Sequence, residues 1–342
     1  MRILYGVQGT GNGHISRARM MARHFTLRGS KVDYLFSGRD PERYFDMQCF
    51  GDYQTRTGLS FVTSNGAISY LRTLRESRPI NFLREIRELD VSGYDLIVTD
   101  FEPVTAWAAK LARKPVIGIG HQYAFSHADV PASPRYLLSR IVLRSFAPAG
   151  IGLGLHWSDF GAAIVPPIIN PDVRGQPGDA VLVYLPFEEQ DKVTELLNRL
   201  PGTSFMQYSP DVRDSKIGNV SRHKANLKGF KHDLQSCKAV ICNAGFELIS
   251  ECLHLGKPVL AKPVRGQGEQ EANALALTQL GYADVMRHLS TQQIERWLRC
   301  LPSPRPIPYP DVAQALVHWV LSEQRIPPEK LSAELWEKTR LA

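Results

Sequence analysis

The sequence predicts an α/β protein built from two doubly wound, Rossmann-like domains that face a cleft. Short, continuously apolar runs alternate with segments of helical period through most of the chain. A single Pro- and Gly-rich stretch interrupts the alternation, which then restarts. The 342 residues are enough for two cores of ordinary size.

In the first half, Arg2–Val7 reads as a strand, Ser16–Arg28 as a helix and Lys31–Phe36 as a strand. Ile80–Leu89 reads as a helix, Leu96–Thr99 as a strand, Val104–Ala112 as a helix and Val116–Ile119 as a strand. Strands that are apolar throughout belong to a parallel sheet covered on both faces. From Ile164 to Gly178 the pattern breaks: Pro166, Pro167, Pro171 and Pro177 stand with Gly175 and Gly178, and read as a linker. The second half repeats the theme. Strands are expected at Ala180–Leu185, Ser204–Tyr208, Ala239–Cys242 and Val259–Lys262, with helices at Asp191–Leu200, Phe246–Leu255, Glu269–Leu280 and Val312–Ser322. The expected organisation is a first domain over 1–165, a linker over 166–178 and a second domain over 179–310. A helical segment over 311–342 is expected to pack back toward the first domain.

Composition removes several function classes. No window of about 18 apolar residues exists, so no membrane-spanning helix is expected. The N-terminus reads as a first strand and not as a signal peptide, which leads to an expected cytoplasmic location. Cys49, Cys237, Cys242, Cys252 and Cys300 are odd in number and form no CxxC pair, so free thiols and no metal site are expected. The formal net charge is +7, but the basic residues are scattered and carry no nucleic-acid-binding motif. Five arginines fall between Arg72 and Arg87. A generic basic surface is one reading of this charge; contact with an acidic polymer, or peripherally with anionic lipid at the inner membrane face, is the other.

The candidate chemistry sits at strand ends, where open α/β sheets place their ligands. The first strand runs into Gly9-Thr10-Gly11-Asn12-Gly13-His14. Its glycines let the backbone turn sharply and approach a ligand, and His14 enters the following helix. The spacing is neither GxGxxG nor a Walker A loop, which disfavours a dinucleotide dehydrogenase. Asp100 ends another strand of the same sheet. A carboxylate paired with an imidazole fixes its tautomer and raises its basicity, which suits a general base; the alternative is that Asp100 caps the next helix.

In the second half, the strand ending at Asn243 leads through Gly245 into a helix whose free N–H groups suit an anion such as a diphosphate. Leu248, Ile249, Cys252 and Leu253 fall at core spacing, and Glu247, Glu251 and His254 share another face. Glu251 on that face reads either as solvated or as a partner for ribose hydroxyls. Glu269 and Gln270 open the next helix, with Asn273 one turn on. There is no Asp-x-Asp to hold a divalent cation and no Gly-x-Ser-x-Gly elbow.

This ordered set resembles the two-domain (GT-B) nucleotide-sugar glycosyltransferases, nearest to family 1 glycosyltransferases and to the enzyme that adds N-acetylglucosamine to lipid I. The resemblance rests on Gly11-Asn12-Gly13-His14, on Gly245 to Glu251 with Gly256-Lys257-Pro258, and on Glu269-Gln270-Glu271-Ala272-Asn273-Ala274. It covers roughly the whole chain, and Lys228–Gly281 closely. It implies an inverting transfer in which His14 deprotonates the acceptor hydroxyl and Asp100 supports it. It also implies a donor site drawn from Gly11, Gly13, Phe230, Asn243, Gly245, Phe246, Glu251, Glu269, Gln270 and Asn273, with a UDP-sugar as the expected co-substrate and no cofactor or metal. The backbone near Phe230 would border the nucleobase, the Gly245–Glu247 amides would meet the diphosphate, Glu251 would bind ribose, and Glu269 and Gln270 would bind the donor sugar. A glycan, a lipid-linked sugar or a small molecule would be the acceptor, with His121, Tyr123 and Arg135 as candidate contacts. Glu247-Leu248 departs from the pattern: Leu248 has no hydroxyl for phosphate, and Glu247 places negative charge at the helix start. Two alternatives stand beside transfer: a sugar-nucleotide 2-epimerase on the same fold, and a non-catalytic nucleotide-sugar or glycan binder.

Overall fold

The structure, a computed structural model, describes residues 1–59, 63–64, 67–68, 79–132 and 145–341. The apolar runs of the first half become β1 (Arg2–Gln8), β2 (Lys31–Ser37), β3 (Tyr53–Arg56), β6 (Leu96–Asp100), β7 (Val116–Gly120), β8 (Ile151–Leu155) and β9 (Ile164–Val165). A separate antiparallel pair is made by β4 (Thr63–Ser64) and β5 (Ala67–Ile68). The seven form one sheet in the order β3-β2-β1-β6-β7-β8-β9, parallel throughout. Among the described residues its helices include α1 (Asn12–Leu27), α2 (Pro79–Glu88), α3 (Pro103–Leu111) and the single turn α4 (His121–Ala124).

The second half repeats the design with β10 (Val181–Tyr184), β11 (Phe205–Ser209), β12 (Ser215–Ile217), β13 (Val220–Lys224), β14 (Ala239–Asn243), β15 (Val259–Lys262) and β16 (Asp284–Val285). The order is β12-β13-β11-β10-β14-β15-β16, and only β12 runs antiparallel to its neighbour. Around it lie α5 (Gln190–Asn198), α6 (Leu227–Ser236), α7 (Phe246–Leu255), α8 (Gly268–Leu280), α9 (Thr291–Arg299), α10 (Val312–Leu321) and α11 (Pro328–Leu341). These are two Rossmann-like domains of the GT-B type. In each, the strand order reverses beside the first strand, between β1 and β6 and between β10 and β14. A crevice opens at the carboxyl ends of the strands at such a point, and this is where the site residues collect.

The central strands are buried end to end, which is why their sequences are apolar throughout. One apolar cluster continues from the first sheet into the second and out to α10 and α11. The expected linker is held in place. Ile164 and Val165 are not part of it but form β9, while Ile168 and Ile169 beyond them are core residues. Lys257 Nζ, itself buried, donates to the carbonyls of Gln176 (2.6 Å) and Cys237 (2.7 Å), tying the linker's end to the second domain. The terminal helices return to the first domain: α10 packs on α1 and α11 along β9. Ser332 Oγ and Trp336 Nε1 both donate to the Ile164 carbonyl, at 2.5 and 2.7 Å. The cysteines are free; Cys237, Cys242 and Cys252 are buried, and Cys49 and Cys300 are exposed.

Candidate active site

His14 lies in the first turn of α1, directly after the loop that leaves β1. Its Nδ1 is 2.8 Å from Asp100 Oδ1, at the end of β6, so the two strands that flank the switch point deliver the imidazole and the carboxylate to each other. Among the described residues no hydrogen bond reaches His14 Nε2, which leaves its lone pair available when Nδ1 carries the hydrogen. The His14 side chain is 12% exposed and that of Asp100 1%. Chain direction helps to fix Asp100. The next residue, Phe101, has φ 54°, a left-handed conformation rare for a bulky side chain, and its ring stacks on Phe146 with centroids 4.9 Å apart.

Asp100 does not cap the helix after it. Glu102 does, accepting from the amides of Val104 (2.8 Å) and Thr105 (2.7 Å). The second partner of Asp100 is Arg17, one turn beyond His14 on the same face of α1. Arg17 Nε donates to Oδ2 at 3.0 Å and Nη2 to Oδ1 at 2.7 Å. Nη2 also lies 2.8 Å from His14 Nδ1; with the hydrogen on Nδ1, both nitrogens direct hydrogens at the same carboxylate oxygen. The third donor, Nη1, reaches Glu247 on α7 in the second domain. Burial would raise the Asp100 carboxyl, but the Arg17 guanidinium and His14 outweigh it and hold it below the ordinary carboxylate range. Burial likewise opposes charge on Arg17, and Asp100 and Glu247 together raise it above its ordinary value. Glu247 is pushed up to about 7 by burial, against the pull of Arg17.

Glu247 therefore turns away from the helix end and toward Arg17 and Gly13, where the missing side chain makes room for it. A Cβ at position 13 would stand 2.6 Å from Glu247 Cγ. The N-terminal turns of α1 and α7 thus meet, and neither N-cap, Gly11 or Gly245, offers a side-chain hydrogen bond to its helix. Beside this contact a cleft opens between Asn12, Ser16 and Arg19 on one side and Tyr184, Phe230, Leu248 and Glu251 on the other. The Phe230 ring sits edge-on to Tyr184 and Tyr208, at 5.3 and 5.2 Å. Glu251 faces the cleft already paired with Lys231.

Other expected residues are placed differently. His121 was expected to face the cleft. It is fully buried instead, stacked on Phe246 with centroids 3.9 Å apart. Its Nδ1 lies 2.8 Å from the Leu155 carbonyl and its Nε2 2.7 Å from Asn273 Oδ1. Glycines on β7 and β8 bring α4 this close: a Cβ on Gly154 would come within 2.5 Å of Ala124 Cα. Tyr123 folds back over Gly118 and donates its hydroxyl to Ala147 O at 2.9 Å. The Phe246 ring is covered by His121, so only its backbone amide is turned to the helix end. Asn273 donates to Ala244 O at 3.0 Å, and Gln270 accepts from the Val264 amide at 2.9 Å. Asn243 donates to Lys262 O at 3.0 Å and has a buried Oδ1 without a partner among the described residues. Glu269 accepts from Gln122 Nε2 across the domain boundary at 3.0 Å. Arg135 lies outside the described residues. His121, Asn273, Gln122, Glu269 and Trp157 thus form an interdomain seam, in which Trp157 Nε1 donates to Ser250 Oγ at 2.8 Å. Arg17, Lys231 and Tyr184 escaped the sequence reading, although the three-residue spacing of His14 and Arg17 on one helix was a usable signal.

Residues 1–302 match the sequence model of Glycosyl transferase family 1. The chain belongs to this family. Two curated relatives, each described as an uncharacterized glycosyltransferase, align along most of their length. One, from Methanosarcina acetivorans, is 23% identical over 337 residues, covering 86% of each chain. The other, from Methanosarcina mazei, is 21% identical over 341 residues, covering 86% of this chain and 88% of its own. A shorter match at 30% identity over 99 residues spans 28% of this chain and 26% of its Methanosarcina acetivorans relative. Solved structures share the fold. The glycotransferase of kitacinnamycin superposes with a TM-score of 0.59 at 14% identity, covering 99% of this chain and 98% of that one. MurG of Acinetobacter baumannii gives 0.57 at 15% identity, covering 94% and 100%. SsfS6 of Streptomyces sp. SF2575, complexed with thymidine diphosphate, gives 0.57 at 13% identity, covering 94% and 99%. This family 1 glycosyltransferase keeps its His14–Asp100 pair and its Gly245 helix end side by side, with Glu247 bound to Arg17.

Proposed function

We propose that the protein is an inverting glycosyltransferase that moves a sugar from a nucleoside-diphosphate donor, a UDP-sugar, to an acceptor hydroxyl. The observation that carries this reading is the His14 Nδ1–Asp100 Oδ1 contact of 2.8 Å at the switch point of the first sheet, with Nε2 uncommitted. In the proposed step the acceptor oxygen attacks the anomeric carbon as its proton passes to His14 Nε2. The bond from that carbon to the β-phosphate oxygen breaks, and the nucleoside diphosphate leaves with the electron pair. Asp100 holds the hydrogen on Nδ1 and stabilises the imidazolium. The uncapped first-turn amides of α7 supply donors for the charge growing on the leaving diphosphate, in place of a metal ion. Phe230 and Tyr184 offer ring surface for the base, and Glu251 a carboxylate for ribose once Lys231 yields it. Glu269, paired with Gln122 at the seam, would supply a carboxylate for the donor sugar.

The positive surface and α2 extend the reading to a peripheral membrane contact. Ile80 and Leu83 are 76% and 51% exposed, and Arg84 and Arg87 are exposed on the same stripe of the helix. The direct test of the donor class is a thermal-shift screen of UDP, dTDP, GDP and ADP at equal concentration, because a ligand that binds the folded state raises the melting temperature, and a tighter one raises it more. A selective shift with UDP is the expected result; a shift with none of the four counts against a nucleotide-sugar donor.

A further inference from the structure

The polar network beneath His14 reaches into the other domain. The Arg17 side chain is 3% exposed and divides its donors between two carboxylates, Nε and Nη2 to Asp100 and Nη1 to Glu247. A guanidinium is planar and its donors form a rigid fork. With two of them on Asp100, Nη1 points away from it, and Glu247 is the group that meets it. Gly13 admits Glu247 to this position.

The charges in this buried group are unequal. Above about pH 7, where Glu247 is ionised, Asp100 and Glu247 bring two negative charges and Arg17 one positive, so with a neutral imidazole the group sums to −1. A proton on His14 brings it to zero. With Glu247 neutral or withdrawn, the group starts at zero and the same proton leaves it at +1. In a site with little water such a difference acts strongly on a neighbouring base. The other titratable groups around it are Tyr5 on β1 and Tyr123 on α4, whose hydroxyls burial keeps protonated, His121 on α4, whose imidazole burial holds below its ordinary value, and Glu251 on α7, paired with Lys231.

We propose that Arg17 and Glu247 are positioning residues for the base: Arg17 holds the Asp100 carboxylate against His14, and Glu247 sets the charge against which His14 takes up its proton, so that the base is complete only when the second domain is docked. The proposal rests on the reading of His14 as the base.

The test is proton NMR of the His14 ring in the full chain, with its signal assigned by loss in His14→Gln. It needs neither donor nor acceptor. Glu247→Gln keeps an oxygen for Arg17 Nη1 and removes the charge, and it should move the His14 titration curve to lower pH by at least about half a pH unit, about threefold in the protonation equilibrium. Glu247→Asp should lie closer to the wild type. Gly13→Ala displaces Glu247 without changing its charge and should move the curve in the same direction as Glu247→Gln. A purely structural role for the pair would lower the melting temperature and leave the curve in place. Unmoved curves in folded Glu247→Gln and Gly13→Ala overturn the proposal. If His14→Ala is inactive while these curves stay put, only the positioning role fails. If His14→Ala turns over donor like the wild type, the base reading fails whatever the titration shows.

Discussion

Arg17 on the first helix and Glu247 on the second domain form a buried ion pair across the domain boundary, and the same guanidinium grips Asp100 through two further nitrogens. One side chain therefore joins the sheet edge that carries the imidazole to the helix end that faces it.

Removing that cation leaves Glu247 without its partner and Asp100 with His14 alone. Arg17→Met should lower the unfolding free energy by about 3–5 kcal/mol, the usual penalty for breaking a buried pair by deleting one member. Arg17→Lys keeps the charge but not the fork and should cost less. Urea unfolding of the two variants beside the wild type measures this. Equal stability of Arg17→Met and wild type would mean that the pair is not buried in solution.

Glu247 gives stability a pH dependence of definite sign. Its carboxyl is pushed up from 4.5 to about 7 in the folded protein, so between these values the folded chain keeps a proton that the unfolded chain has released. Its contribution is full below 4.5 and is lost as pH rises through about 7, with an amplitude of at most about 3 kcal/mol. Wild type should therefore lose stability relative to Glu247→Gln between about pH 5 and about pH 8. Parallel curves for the two proteins in urea titrations count against this.

Gly13 and Glu247 should behave as a coupled pair. A methyl group at position 13 meets Glu247 Cγ at 2.6 Å, and crowding of this kind costs about 1–3 kcal/mol. Shortening Glu247 removes the clash, so Gly13→Ala should be milder in a Glu247→Ala background than alone. A double-mutant cycle on melting temperature reads the difference; strict additivity is the opposing result.

Much of this architecture was legible in the sequence because its strands are buried on both faces. Val116–Gly120 and Val259–Lys262 announce themselves as apolar runs. Ile151–Leu155 did not, because Gly152 and Gly154 break its pattern; those glycines are there so that α4 can lie against the sheet. Val220–Lys224 was missed because only a short antiparallel strand covers its outer side, and four of its five residues are polar. At the site, His14 and Asp100 were legible as residues at strand ends. Arg17 was not, since an arginine on a helix gives no sign that it is buried until its two carboxylates are in place. His121 was misplaced for the reverse reason: a histidine at a strand end resembles a site residue, and only the stack on Phe246 shows it to be interface.

The seam around His121 has its own consequence. His121→Ala removes the stack on Phe246 and leaves Asn273 Oδ1 without its partner. The expected loss is about 2–4 kcal/mol, from a cavity and an unsatisfied polar atom. Calorimetric unfolding should show it. An acceptor contact would instead change KM and spare the melting temperature.

The proposed membrane contact predicts that Ile80→Glu/Leu83→Glu no longer sediments with vesicles of anionic lipid, while the wild type does and neither sediments with neutral vesicles. Equal sedimentation of wild type and variant removes α2 from the account.

The base is the central claim, and release of UDP from a UDP-sugar tests it most directly, by wild type and His14→Ala side by side, with water as acceptor and with UDP binding measured by calorimetry on both. The account predicts a loss of turnover of about 10²–10⁴-fold in His14→Ala with UDP affinity unchanged. Turnover at the wild-type rate in His14→Ala would contradict it.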